Sequence, residues 1–146
     1  GLDDGFFLLI EVVMFIRQLP LFKGIHGSLL SDLADKIVPI DLAAGTTMAF
    51  DAHEYDSPIF IVAHGEVNIR HNHETVATLS KGSLYGDIFQ DGAPVHANAM
   101  EAMKRTIIFK INVMDFYFVM ATHHELVQGL IKNIGELRKN STIINQ

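Results

Sequence analysis

From residue 39 to residue 111 the chain is written almost wholly in short strand-like runs, with no helical pattern between them. "TTMAF", "SPIFIVAHGEVNIRH", "ETVATL", "GSLYG" and "RTIIFKIN" are rich in β-branched and aromatic residues and are punctuated by glycine and other turn formers. In "EVNIR" the alternation is clean, with Val67 and Ile69 on one face and Glu66, Asn68 and Arg70 on the other. "HNHE" reads as the polar turn of a hairpin whose second arm returns over residues 75–79. Parallel strands need crossover helices, and none interrupt this block. Seven or eight consecutive short strands therefore predict an antiparallel roll or barrel.

Helical spacing brackets the block on both sides. In residues 6–16, from Phe6 to Ile16, Glu11 alone interrupts an otherwise apolar run. The run is too short to cross a bilayer, which takes about 20 apolar residues, and it has neither the basic start nor the cleavage site of a signal peptide. It predicts a helix apolar on most faces, which a partner protomer or a neighbouring domain would cover. "SLLSDLADKIV" sets Leu29, Leu30, Leu33, Ala34 and Ile37 at helical spacing, with Ser28 as the expected cap. After the strands, Asn112 precedes "VMDFYFVM", whose Met and Phe residues read as helix core. "HHELVQGLIKNIGEL" then aligns Leu126, Leu130, Ile131, Ile134 and Leu137 along one stripe, with His123 and His124 exposed at its start. The expected architecture is mainly β with flanking helices: an antiparallel, jelly-roll-like β-roll. It forms a single domain over 1–146, with helices in 5–37, the roll in 38–111 and C-terminal helices in 113–138. The glycine at position 1 suggests a piece cut from a larger protein.

Composition excludes several function classes. Eleven Lys and Arg against seventeen Asp and Glu leave a formal charge of −6, and the cations are scattered apart from "ELRKN" near the end. That argues against a nucleic-acid module, which needs clustered cations against phosphate. The absence of cysteine removes disulfides, thiolate chemistry and cysteine-bound zinc, and fits a cytoplasmic location. No Walker, dinucleotide or catalytic-triad pattern is present, so no enzyme activity is expected. His71 and His73, two apart on a strand, would point the same way and could chelate a metal, as in the first motif of cupins. Further ligands are not evident, although His96 could be argued. A solvated hairpin tip is the simpler reading.

The order of segments resembles the cyclic-nucleotide-binding domain, the β-roll of catabolite-activator-type regulators, kinase regulatory subunits and gated channels. The resemblance runs from Ile10 to about Arg138. "LPLFKGIHGSLLSDLADKI" is similar to the family's leucine-rich opening helix after a Pro-Leu-Phe turn, and "AGTTM" to its Ala-Gly-Glu-Thr stretch. "IFIVAHGEVNI" is similar to its central hairpin, with Gly65 at the glycine position. "LSKGSLYGD" matches its Leu-x-x-Gly-x-x-Phe-Gly-Glu stretch, and "VMDFYFVMATHHELVQGLIKNIGEL" its closing helices.

The resemblance implies a cyclic AMP or cyclic GMP ligand held by a short cassette. Its phosphate would lie on the backbone around Gly86, Asp87 and Ile88, at the start of a short helix. A glutamate would take the ribose hydroxyl, and an arginine would pair with the phosphate. Counted without gaps, Asp87 stands for the glutamate, His96 for the arginine and Ala97 for the following Ser/Thr, while Thr106, Asp115 and Phe116 keep their family places. One gap at Pro94 would put Val95 in the arginine position instead. Either way the arginine is absent. A charge-assisted hydrogen bond contributes roughly 1.5–3 kcal/mol, so its loss weakens binding by about one to two powers of ten. The expectation is a regulatory domain that binds a cyclic nucleotide or other small anion weakly if at all, with a ligand-free scaffold or dimerisation module as the alternative. In the family, occupancy re-docks the last helix, a role that falls here to Leu126, Leu130 and Ile134.

Overall fold

The computed structural model describes residues 8–50, 57–89, 97–125 and 127–144, the last five of these as backbone only. Helix α1, Leu9–Ile16, begins where the Glu11 carboxylate accepts the Leu8 amide at 3.2 Å. It buries Val12 and Ile16 and leaves Leu9, Ile10 and Met14 exposed, so its second apolar face has no cover among the described residues. A 3₁₀ turn at Pro20–Phe22 buries Leu21 and Phe22 and leads to helix α2, Gly27–Lys36. The cap of α2 is His26, whose Nδ1 accepts the Ser28 amide at 3.1 Å. This corrects the expectation of Ser28 as cap: the cap and the helix start both lie two residues earlier, and Ser28 is inside the first turn.

Eight strands follow: β1 (Val38–Leu42), β2 (Thr47–Ala49), β3 (Pro58–His64), β4 (Glu66–His71), β5 (Glu74–Ser80), β6 (Leu84–Tyr85), β7 (Ala99–Ala102) and β8 (Thr106–Asn112). They form two four-stranded antiparallel sheets, ordered β1-β8-β3-β6 and β2-β7-β4-β5. Helices α3 (Val113–Thr122) and α4 (Val127–Ile144) close the chain. The last helix starts later and runs further than the sequence pattern suggested. His123 lies in the turn before it, largely buried and bonded to Asp32 of α2 at 2.6 Å, where an exposed position was expected. The α3 cap is as expected, with Asn112 Oδ1 accepting the Met114 amide at 2.8 Å.

Two cores share the central strands. Ile59, Ile61 and Ala63 of β3, with Ile107, Phe109 and Ile111 of β8, face the helices. Phe60 and Val62, with Ile108, face the opposite sheet and meet Val67, Ile69 and Met100 there. Burial on both faces explains why "PIFIVA" and "TIIF" read as continuous apolar runs while "EVNIR" alternates. The β4–β5 hairpin turns on Asn72 and His73, both at positive φ (48° and 72°), as a two-residue type I′ loop requires.

The β3–β4 corner is fixed by one glycine. Gly65 sits at φ +91°, and a Cβ there would overlap the Arg105 carbonyl oxygen and the Thr106 hydroxyl. Thr106 is fully buried; its hydroxyl accepts the Glu66 amide at 3.1 Å and donates to the Lys104 carbonyl at 2.8 Å. Nearby, the Arg105 guanidinium donates to Asp41 of β1 and holds that carboxyl below its usual range. Gly45 has a similar φ of +84° but open space around it. Gly65→Ala is therefore expected to lower stability by about 2–4 kcal/mol, strain plus overlap. Gly45→Ala should lower it by about 1 kcal/mol, strain alone. Thermal melts of the two variants side by side check the difference.

Candidate functional site

The cassette region begins where β6 ends. Gly86 is buried, and a Cβ there would stand 3.3 Å from Ile59 Cγ1 and 3.5 Å from the Pro58 carbonyl. The residue thus lets the chain leave β6 close against β3. A 3₁₀ turn at Asp87–Phe89 follows, closed by the Phe89 amide on the Gly86 carbonyl at 3.0 Å. That bond uses one donor, so the turn can offer an anion at most the amides of Asp87 and Ile88. Asp87 and Ile88 are half-buried, and Phe89 is buried in the helix-side core.

His96 lies outside the described residues. Ala97 is only 1% exposed and belongs to the inter-sheet core, where Phe50 and Phe60 meet edge-on at 5.0 Å and Tyr85 completes the aromatic group. Gly86, Asp87 and Ile88 are thus brought together on one turn, whereas Ala97 belongs to the core between the sheets.

The closing helix reaches this turn. Leu130 of α4 is fully buried, and Ile134 and Leu137 pack against the same core as Ile88. Leu126 lies outside the described residues. Two polar residues add what the apolar stripe did not reveal. The Asn133 side-chain amide donates to the carbonyls of Leu21 (2.7 Å) and Lys23 (3.1 Å), pinning α4 to the Pro20–Phe22 turn. Arg138 Nε donates to the Ile88 carbonyl at 2.7 Å, tying the same helix to the cassette turn. All three acceptors are main-chain carbonyls 50 to 112 residues away in sequence, so no periodic signal could have marked them.

The histidine pair lies at the hairpin tip, as the simpler reading had it, and does not take the chelating geometry of the alternative. His71 ends β4, but His73 is the second turn residue at positive φ, so the two do not share a strand face. The His73 carbonyl instead accepts from Arg70, whose other arm pairs with Glu101. Among the described residues, no three His, Asp or Glu side chains are placed to hold a metal ion.

No protein-family model matches the chain, and no curated protein does. Solved structures do. The chain is similar to the C-linker/CNBHD of zELK channels crystallized in the presence of cAMP, at 20% identity and a TM-score of 0.67, over 93% of this chain and 70% of that one. It is similar also to the N-terminal domain of a transcriptional regulator from Streptomyces coelicolor A3(2), at 20% identity and a TM-score of 0.66, over 89% and 94% of the two chains. A candidate cyclic nucleotide-binding protein from Geobacter metallireducens GS-15 matches at 17% identity and a TM-score of 0.65, over 84% and 91%. The fold is that of the cyclic nucleotide-binding domains. Among the described residues no helix is long and apolar enough to cross a membrane.

Asn133 and Arg138 generate a direct expectation. Asn133→Ala leaves the Leu21 and Lys23 carbonyls without their donor, a loss of about 1–3 kcal/mol of local docking. Amide exchange in residues 127–138 should then quicken by about 5- to 100-fold while exchange in β3 and β8 stays unchanged. Hydrogen-exchange mass spectrometry resolves the two regions.

Proposed function

We propose that this chain is a non-enzymatic regulatory domain in which the cassette turn and the last helix report on one another. The observation that carries this reading is the Arg138–Ile88 hydrogen bond. It makes any rearrangement of the Asp87–Phe89 turn a perturbation of α4, and any displacement of α4 a perturbation of the turn. The ligand class this fold suggests is a cyclic nucleotide or another small anion, bound weakly or not at all. Asp87 is one methylene shorter than the glutamate expected there, and on the gapless count Ala97 offers no hydroxyl and the arginine position carries His96. With one gap that position carries Val95, and either way the arginine is absent. An attached domain inside the cell would receive the signal.

Calorimetric titration with cyclic AMP and cyclic GMP at pH 7.5 and pH 6 tests this. The expected result at pH 7.5 is a dissociation constant no tighter than the high micromolar range. Affinity should be several-fold greater at pH 6, because only the imidazolium form of His96 pairs with phosphate and histidine gains its proton near pH 6.5. Low-micromolar binding, equal at both pH values, would overturn the weak-ligand reading. A flat trace at millimolar nucleotide at both pH values would leave a ligand-free scaffold.

One observation favours that scaffold as a second reading: the exposed Leu9, Ile10 and Met14 on α1. An apolar face of this kind suits a second protomer or an attached domain. Light scattering should then report a dimer that Ile10→Gln converts to monomer.

A further inference from the structure

Helix α3 turns a second apolar surface outward, on a different part of the molecule. Phe118 is 65% exposed, Tyr117 44% and Met114 42%, and these three lie within two turns of one helix. Exposed aromatic side chains grouped in this way mark contact surfaces more often than ordinary solvated helix. Beside them, α2 and α3 leave an open cleft of about 220 Å³ between Asp32, Asp35 and Lys36 on one wall and Phe118, Val119 and Thr122 on the other.

The charge of the cleft is one-sided. Its lining carries two carboxylates, Asp32 and Asp35, against the single lysine Lys36, with His123 beside Asp32 and a further carboxylate, Asp115, elsewhere on α3, in a chain of net charge −6. Asp32 is held in position, because His123 in the turn after α3 engages its Oδ2 at 2.6 Å while the side chain remains 58% exposed. A carboxylate fixed by a neighbour loses less side-chain freedom when it meets a partner cation. The face of Phe118 adds a site for a guanidinium or ammonium stacked on the ring.

We propose that the α2–α3 cleft is a docking site for a basic amphipathic helix of a partner protein. The apolar side of that helix covers Met114, Tyr117 and Phe118, and a lysine or arginine from it enters the cleft against Asp32 and Asp35. A second copy of this chain is the poorer occupant. A symmetric self-contact would set the same acidic wall against itself, and like charges brought together in this way oppose association. This inference concerns a surface other than the cassette turn and does not depend on whether a nucleotide binds.

The test uses two fluorescein-labelled, 18-residue amphipathic peptides, one of leucine, alanine and lysine and the other with glutamate in place of every lysine. Fluorescence anisotropy is read on the whole chain. The lysine peptide should bind with a dissociation constant in the micromolar range, weakening as salt is raised, and the glutamate peptide should not bind. Phe118→Ser, which alters an exposed side chain, should weaken the lysine peptide tenfold or more, as should the double variant Asp32→Asn, Asp35→Asn. Val76→Thr, at an exposed apolar position on β5, should leave it unchanged. Equal binding of both peptides would overturn the proposal, as would no binding of the lysine peptide at millimolar protein or binding unaffected by Phe118→Ser. Self-association abolished by Phe118→Ser, without peptide binding, would assign the face to a second copy instead.

Discussion

Strands β3 and β8 are buried on both faces, and the rest of the molecule is arranged around that fact. Each strand sends alternate side chains into two different cores: Ile59, Ile61, Ile107 and Phe109 toward the helices, Phe60, Val62 and Ile108 toward the second sheet. Pairing keeps one register from Pro58↔Asn112 to Val62↔Ile108 and shifts at a bulge before His64↔Ile107. Within the regular part a one-residue slip of either strand would turn its side chains into the opposite core. Phe60 and Phe109 are both fully buried, and a slip of its own strand would send either one into the other's core. The Gly65 corner and its Thr106 hydrogen bonds sit at one end of this pair and hold the register there.

The cassette turn inherits its position from the same pair. Gly86 lies against Ile59 and Pro58 of β3, and Phe89 drops into the helix-side core that β3 and β8 define. Helix α4 meets that core from outside with Leu130, then adds two directional bonds to main-chain carbonyls. Apolar burial alone would allow α4 to slide along the surface, since the hydrophobic effect has no direction. Asn133 and Arg138 set where along its length the helix rests. Hence the last helix is held against the Asp87–Phe89 turn by directional bonds as well as by apolar burial.

Much of this was legible in the sequence, for identifiable reasons. The β3, β4 and β8 strands announced themselves through apolar runs and alternation, because burial on one or two faces leaves that mark directly. Strands β1 and β7 left weaker marks. "VPIDL" contains a proline and an aspartate, and "AMEA" consists of residues that favour helices; each becomes a strand through its neighbours, β8 for the first and β2 and β4 for the second. The His26 cap escaped notice because a ring nitrogen replaces the usual hydroxyl or carboxylate. The histidine pair lies at the hairpin tip, as the simpler reading had it; the chelating alternative needed strand geometry to run two residues past His71, into a turn with two positive φ values. At the candidate site, Gly86, Asp87 and Ile88 were readable from motif order, and Leu130 from helical period. Asn133 and Arg138 were not, since their partners are backbone atoms whose position only the folded chain determines.

The central claim is that α4 and the cassette turn are mechanically coupled through Arg138. The most direct measurement is a distance distribution by pulsed electron resonance between spin labels at Lys81 and Lys139, two exposed positions near the two elements. The account predicts one narrow distance in the parent chain and a broad or two-peaked distribution once Arg138→Ala removes the Ile88 contact. A broad distribution in the parent chain, or a narrow one that Arg138→Ala leaves unmoved, would contradict it.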